Sequence, residues 1–226
     1  MPRNKQFAIL GLGRFGCSVT KTLAENGYDV LACDKDIDIV REMSQFATQA
    51  MQVDVTDEMA LSSLGLSNFD VVVVAIGNDL EPCVMATLFA KQCGAKYVIA
   101  KANNQTQKKI LEKIGADRVV LPEWEMGEKI ATELTSTHIL DYIKLSKDFG
   151  IVEISPLPQW VGLSLHKSNI RAVTGINIVA IKRGKSVIAS PKPDVVIESG
   201  DILVAVSDYK DLHRLGVLTN EKQGGL

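Results

Sequence analysis

Phe7-Ala8-Ile9-Leu10-Gly11-Leu12-Gly13-Arg14-Phe15-Gly16 is the stretch that decides the fold. An apolar run of strand character enters three glycines spaced G-x-G-x-x-G, and a stretch of helical character follows from about Ser18 to Asn26. Each glycine has a mechanical role. Gly11 permits a tight turn, Gly13 lets backbone amides approach a phosphate, and Gly16 lets the helix pack closely on the sheet. The helix start offers free N–H groups and partial positive charge to an anion. Arg14 stands in the first turn, where the macrodipole favours acids over cations. An anion bound between Arg14 and the helix end explains that placement; a side chain pointing into water is the plain alternative.

Working outward, Asp29-Val30-Leu31-Ala32-Cys33-Asp34 is a short apolar strand ending in an acid. Asp34 lies about 20 residues beyond the glycines, where a Rossmann unit places the carboxylate that binds ribose hydroxyls. A carboxylate there disfavours a 2′-phosphate, so NADP is the least suited dinucleotide. Helical spacing of Ile37, Val40 and Met43 follows. Ala50–Val53 is a third strand, running into Asp54-Val55-Thr56-Asp57. Asp54 then faces the ligand edge of the sheet, where it can accept a bond from an adenine amino group or simply serve its loop. Thr56 or Asp57 caps the next helix.

Asp70-Val71-Val72-Val73-Val74-Ala75-Ile76-Gly77 is a β-branched run of the kind that strands covered on both faces show. Asn78 or Asp79 caps a helix to about Gln92, and Gly77 sits where a fourth strand faces phosphates across the crevice. Tyr97–Lys101 is a fifth strand, with Lys101 at its end in reach of phosphate or solvent. A helix over 104–114, a sixth strand at 119–121 and a helix opening at Pro122-Glu123 complete a doubly wound parallel sheet. Glu123 complements the dipole of its own helix, or holds a cation against nucleotide phosphates.

Beyond that sheet, Glu125 to Leu145 reads as helical, with Met126, Ile130, Leu134, Ile139, Leu140 and Ile143 on apolar faces. Amphipathic helices leaving a finished sheet suit docking on a second subunit. From Phe149 the pattern changes to a small α+β module. It has strands near 151–154, 176–182, 186–189 and 201–206, a short helix over Leu165–Thr174 and a closing helix over Tyr209–Leu215. The expected division is residues 1–122, a bridging dimerisation element over 123–146, a second domain over 147–219, and a polar, disordered tail over 220–226.

Composition bounds the function. The 25 basic and 27 acidic residues leave a net charge of −2, so no basic bias argues for nucleic acid. No apolar run approaches the roughly 20 residues of a membrane span. The N-terminus shows no signal-peptide core, which points to a cytoplasmic protein. Cys17, Cys33, Cys83 and Cys93 form no C-x-x-C pair and read as reduced, buried and structural.

Together, Gly11-Leu12-Gly13-Arg14-Phe15-Gly16, Asp34, Asp54, Ala75-Ile76-Gly77-Asn78, Lys101-Ala102-Asn103, Ile114-Gly115-Ala116-Asp117 and Pro122-Glu123 resemble the RCK/KTN family, the regulators of potassium conductance. Arg171-x-x-x-Gly175-Ile176-Asn177-Ile178-Val179-Ala180-Ile181-Lys182-Arg183-Gly184 and Gly200-Asp201-Ile202-Leu203 resemble its TrkA-C partner module. The resemblance covers nearly the whole chain and is greatest to peripheral regulatory subunits of Trk/Ktr-type potassium uptake systems. It implies a Rossmann-like doubly wound sheet, a helical dimer element and a small α+β RCK-C domain. It implies a cytoplasmic subunit, peripheral at the inner membrane face, that dimerises and forms an octameric ring under a membrane potassium-translocating subunit.

The resemblance also assigns ligands: ATP or ADP, and in relatives NAD(H), in the crevice. The glycine loop, Gly11, Gly13, Phe15 and Gly16, and Arg14 then hold phosphate. Asp34 holds the ribose, Asp54 and Val55 face adenine, Lys101 lies near the ligand, and Lys35, Ala75, Ile76, Gly77 and Asn78 are further cofactor-binding positions. Glu123 helps place a divalent cation, Mg or Ca, at the triphosphate. In some members the C-terminal module binds cyclic di-AMP; the matching positions are Leu165, His166, Asn169, Arg171, Asn177, Ile178 and Pro193. Asn169 stands where several relatives carry an acid.

The reading is of a ligand-gated subunit with no chemistry of its own. The alternatives are an NAD-dependent oxidoreductase and a Rossmann-type redox sensor. The first needs a proton-transfer residue at the crevice, and none of His138, His166 and His213 ends a Rossmann strand. A sensor acting on DNA needs a helix-turn-helix or a basic face, and the chain offers neither.

Overall fold

Short apolar runs with little polar interruption need cover on both faces, and the chain supplies it by alternating each strand with a helix. The computed structural model describes residues 5–77, 79–135, 139–146 and 148–214. Its contacts separate two units, Met1–Glu125 and Met126–Leu226.

In the first unit the strands are β1 (Gln6–Leu10), β2 (Asp29–Asp34), β3 (Gln49–Gln52), β4 (Val71–Val74), β5 (Val98–Lys101) and β6 (Arg118–Val120). All pair parallel, in the order β3-β2-β1-β4-β5-β6. The chain builds outward from β1 to β3, then returns to β4 on the other side of β1. That reversal opens a crevice at the C-terminal ends of β1 and β4. The helices α1 (Arg14–Glu25), α2 (Ile37–Met43), α3 (Glu58–Ser63), α4 (Leu80–Gln92) and α5 (Gln105–Lys113) alternate with the strands. Strand alternation divides the core: Leu10, Val72 and Val74 pack with Leu61, Phe89 and Leu111, while Ile9 and Val73 pack with Leu12, Val40 and Met43. The β-branched β4 is thus covered on both sides, as its sequence requires.

Local chemistry starts the helices. Asp36 accepts from the Asp38 N–H at 2.9 Å, Asp57 from Met59 and Ala60, and Asn104 from Gln107. Of Thr56 and Asp57, Asp57 is therefore the cap. Asp79 occupies the N-cap of α4 without a side-chain cap bond. Asn78, expected as a cap and site residue, lies outside the described residues.

Helix α6 (Pro122–Thr135) follows β6 and runs on into the second unit. That unit contains β7 (Ile139–Lys144), β8 (Phe149–Ile154), α7 (Leu165–Ser168), α8 (Ile170–Thr174), β9 (Asn177–Arg183), β10 (Ser186–Ala189), β11 (Ile202–Asp208) and α9 (Tyr209–Arg214). Its antiparallel sheet has the order β10-β9-β11-β8-β7. Along β11 the side chains alternate half-buried and buried, with Leu203 and Ala205 in a core that includes Trp160, Ile170, Ile176 and Ile197.

Two expectations are corrected here. The stretch read as helical to Leu145 is helical only to Thr135, and residues 139–144 form β7, paired with β8. The bridging element over 123–146 is therefore one helix and one strand, and the second unit's sheet begins before Phe149. Ile139, Leu140 and Ile143 fit one helical face by spacing, but a hairpin partner five residues on satisfies their backbone as a strand. The helix over Leu165–Thr174 breaks at Asn169, which takes a left-handed φ of 48° between α7 and α8.

All four cysteines are free. Cys33 and Cys83 are buried, which pushes their thiols up to about 12 and about 11. Cys17 and Cys93 are only half-buried, contrary to the expected burial. The tail over 220–226 lies outside the described residues. Among those described, no helix is long and apolar enough to cross a membrane.

Candidate functional site

The crevice at the β1/β4 reversal has a volume of about 810 Å³. Its floor is built by the glycine turn. Gly11 takes φ +98° and lies against the outlet of β4; a Cβ there would stand 3.2 Å from backbone atoms of Ala75 and Ile76. Gly13 is the N-cap of α1, with open space where a side chain would project. The first turn of α1 holds no acid, and Gly13 supplies no capping side chain. The leading N–H groups of α1 thus lack an intrahelical partner, and Gly13, Arg14 and Phe15 at that helix start line the crevice. Arg14, at the first helical position, lines the same wall.

Asp34 closes β2 and bonds back to the glycine loop. Its Oδ2 accepts from the Leu12 N–H at 2.5 Å and its Oδ1 from the Asp36 N–H at 2.9 Å. The carboxylate is thereby oriented at the crevice edge with lone pairs to spare. Asp54, beyond β3, accepts from the Thr56 hydroxyl at 2.7 Å and the Thr56 N–H at 3.0 Å, and that bonding holds its carboxyl below the usual range.

The crevice also carries an ion pair. Lys101, at the end of β5, has its stem buried, and its Nζ lies 2.7 Å from Glu123 Oε1 at the start of α6. The Lys101 hydrogen bond, helped by the nearby Arg14 charge, holds the Glu123 carboxyl below its ordinary value. Asn103 Nδ2 donates to the Gly77 carbonyl, tying the outlets of β4 and β5 together.

Of the residues expected at this site, Gly11, Gly13, Arg14, Phe15, Asp34, Lys35, Asp54, Val55, Ala75, Ile76, Gly77, Lys101 and Glu123 line the one crevice. Gly16 lies beneath it, packed on Gly11. Thr56, Asp79, Pro82 and Asn103 also line it and were not expected as site residues. Thr56 was legible as part of an Asp-x-Thr turn after β3, and Asn103 by its position two residues past a strand-end lysine. The charged wall holds Arg14, Lys35 and Lys101 against Asp34, Asp54, Asp79 and Glu123, a net excess of one carboxylate.

In the second unit, the N–H groups of Leu165 and His166 donate to the carbonyls of Val195 and Pro193 at 2.9 and 2.8 Å. This brings Leu165, His166 and Pro193 together. Asn169 and Arg171 stand exposed at the α7–α8 corner, and Asn177 and Ile178 open β9.

Comparison with known proteins matches the TrkA-N domain to residues 7–122 and the TrkA-C domain to residues 150–217. The chain is 45% identical to Ktr system potassium uptake protein C of Bacillus subtilis (strain 168), over 93% of this chain and 95% of that protein. It is 41% identical to Ktr system potassium uptake protein A of the same organism, over 94% and 96%. Among solved structures, the GsuK channel bound to NAD aligns with a TM-score of 0.69 at 17% identity. That alignment covers 99% of this chain and 41% of the other.

Proposed function

Because the chain belongs to the TrkA-N/TrkA-C (RCK) family of potassium-uptake regulators, we propose that its crevice is a nucleotide switch. ATP and ADP occupy it, with NAD(H) as the competing dinucleotide, and the occupant controls potassium flux through a membrane translocating subunit. The observation that carries this reading is the convergence of the α1 N-terminus, Arg14, Lys101, Asp34 and Asp54 on one crevice at the sheet's reversal. Amides and cations suit phosphates, and carboxylates at the ends of β2 and β3 suit ribose hydroxyls and an adenine amino group.

A switch must bind its ligands differently in its two states; equal affinity shifts nothing. The third phosphate of ATP is the differential element. Since acids outnumber cations on the wall, a polyphosphate brings a divalent cation, Mg or Ca, with Glu123 as the protein carboxylate that helps hold it. Among the described residues, the crevice wall contains no histidine or tyrosine, side chains that hydride-transfer enzymes commonly use to move a proton. This favours binding without chemistry.

Assembly follows the same reading. Met126, Ile130 and Leu134 form an exposed stripe four residues apart on α6. Such a stripe suits a homodimer, which builds the octameric ring beneath the membrane subunit at the inner face of the membrane. The cluster of Leu165, His166 and Pro193, with Asn169, Arg171, Asn177 and Ile178, is the proposed second site for cyclic di-AMP.

The test is calorimetric titration with ATP, ADP, NAD and NADH, each with and without magnesium. Tight binding of ATP and ADP, with Arg14→Ala weakening ATP most, supports the switch. Binding of NADH alone, unaffected by Arg14→Ala, refutes it.

A further inference from the structure

The Lys101–Glu123 pair puts a carboxylate of the protein itself where an anionic ligand needs a cation. Lys101 has a side chain only 10% exposed, whereas Glu123 is 63% exposed. The ammonium is therefore fixed and the carboxylate is free to swing away. The position of the ammonium is set by the β4 outlet: a Cβ on Gly77 would stand 3.1 Å from Lys101 Nζ. The absence of a side chain at Gly77 thus lets the ammonium lie against the phosphate side of the crevice, bonded to Glu123.

Resting on the nucleotide reading above, we propose that Glu123 is an internal competitor for Lys101, and that this pair sets the crevice's preference for cation-accompanied over cation-free nucleotides. A cation-free phosphate approaching Lys101 must share the ammonium with Glu123, which already holds one of its three donors at 2.7 Å. It also meets that carboxylate as a like charge in the same wall. A nucleotide arriving with a divalent cation escapes both penalties, because the cation replaces Lys101 as the partner of Glu123. One carboxylate therefore opposes binding in chelator and favours it in magnesium. The specificity lies in the sign change.

The experiment is calorimetric titration of the full chain with ADP, in EDTA and in magnesium. It compares wild type, Glu123→Gln, Lys101→Met and the double variant. In EDTA, Glu123→Gln is expected to tighten ADP about 3–10-fold, the range expected for freeing a half-buried charged hydrogen bond. In magnesium the same variant is expected to bind no tighter than wild type, so its magnesium dependence shrinks or reverses. In the Lys101→Met background the gain in EDTA is expected to vanish. Two results overturn the proposal while leaving the nucleotide switch intact: wild type binds ADP and Glu123→Gln does not tighten it in EDTA, or the gain persists in full without Lys101. The second assigns the effect to general charge removal. A wild type that binds no nucleotide under either condition overturns the switch and this proposal together. Glu123 is exposed, so an unchanged melting curve is expected for Glu123→Gln, and if Lys101→Met does not fold, Lys101→Gln takes its place in the comparison.

Discussion

Replacing Gly16 by alanine adds one methyl group at the tightest backbone contact beneath the glycine loop. The new Cβ would stand 2.0 Å from the Gly11 carbonyl oxygen, 3.0 Å from its carbon and 3.2 Å from the Ala75 Cβ. Reaching an ordinary contact would require the backbones to part by about 1.4 Å, beyond what dispersion wells tolerate. Neither partner can rotate away, because the Gly11 N–H is bonded to the Cys33 carbonyl at 2.8 Å and Ala75 N–H to Leu10 at 2.7 Å. Helix α1 must move instead, loosening Phe15, Val19 and Leu23 from the apolar layer they cover. Overpacking of this kind costs about 2–3 kcal/mol. For a unit of this size that corresponds to a fall of about 8–12 °C in its melting temperature. The assay is thermal unfolding followed by circular dichroism, with Gly13→Ala as the paired control. Gly13 has φ −67° and open space around its missing Cβ, so Gly13→Ala should leave the melting temperature within about 2 °C. It should still weaken nucleotide binding, because the methyl projects into the crevice. A Gly16→Ala protein that melts with wild type would refute the claim that close approach of α1 to the loop requires glycine.

In the second unit, the Asp201 side chain is fully buried and accepts from Arg183 Nε at 2.7 Å, Arg183 Nη2 at 2.8 Å and the Glu198 N–H at 2.8 Å. Asp201→Asn sets an amide donor against a donor, and should cost about 2 kcal/mol in urea unfolding; an unchanged midpoint would contradict this. The Arg183 hydrogen bonds hold the Asp201 carboxyl below its ordinary value of 3.8. The stability it adds is therefore complete above that value and is lost as pH falls below it, through the depressed folded value. Acid titration of unfolding should show wild type losing more stability than Asp201→Asn over that range, and parallel curves would sink the assignment. At the α7–α8 corner, Asn169→Gly should be neutral or mildly stabilising, while Asn169→Val should cost about 1–2 kcal/mol, because a β-branched residue resists the left-handed region. Equal stability of the two variants would exclude that strain.

The glycine loop and Asp34 were legible because their signals are local. Turn geometry, helix start and strand end all fall within a few residues of one another, and each demands a particular residue type. The β4 run was legible for a related reason: four β-branched residues in succession have no exposed face to spare. β7 was misread because Ile139, Leu140 and Ile143 satisfy helical spacing, and only the pairing with β8 distinguishes the two outcomes. The inclusion of Thr56, Asp79, Pro82 and Asn103 in the crevice wall also escaped the reading, since wall membership depends on how loops converge.

Residue order thus determined by itself the periods, the caps and the turn chemistry, and with them six parallel strands alternating with helices. These are properties of backbone conformation over short spans, where sterics and local hydrogen bonds dominate. Tertiary structure alone decided which ends meet. Lys101 and Glu123, 22 positions apart, form their ion pair because β5 and α6 open on the same edge of the sheet. Asp34 reaches the Leu12 N–H because β1 and β2 are neighbours. Arg183 and Asp201 close on each other through the pairing of β9 with β11. Such contacts form only after the loop entropy between distant residues has been spent by the whole fold, so no local pattern announces them.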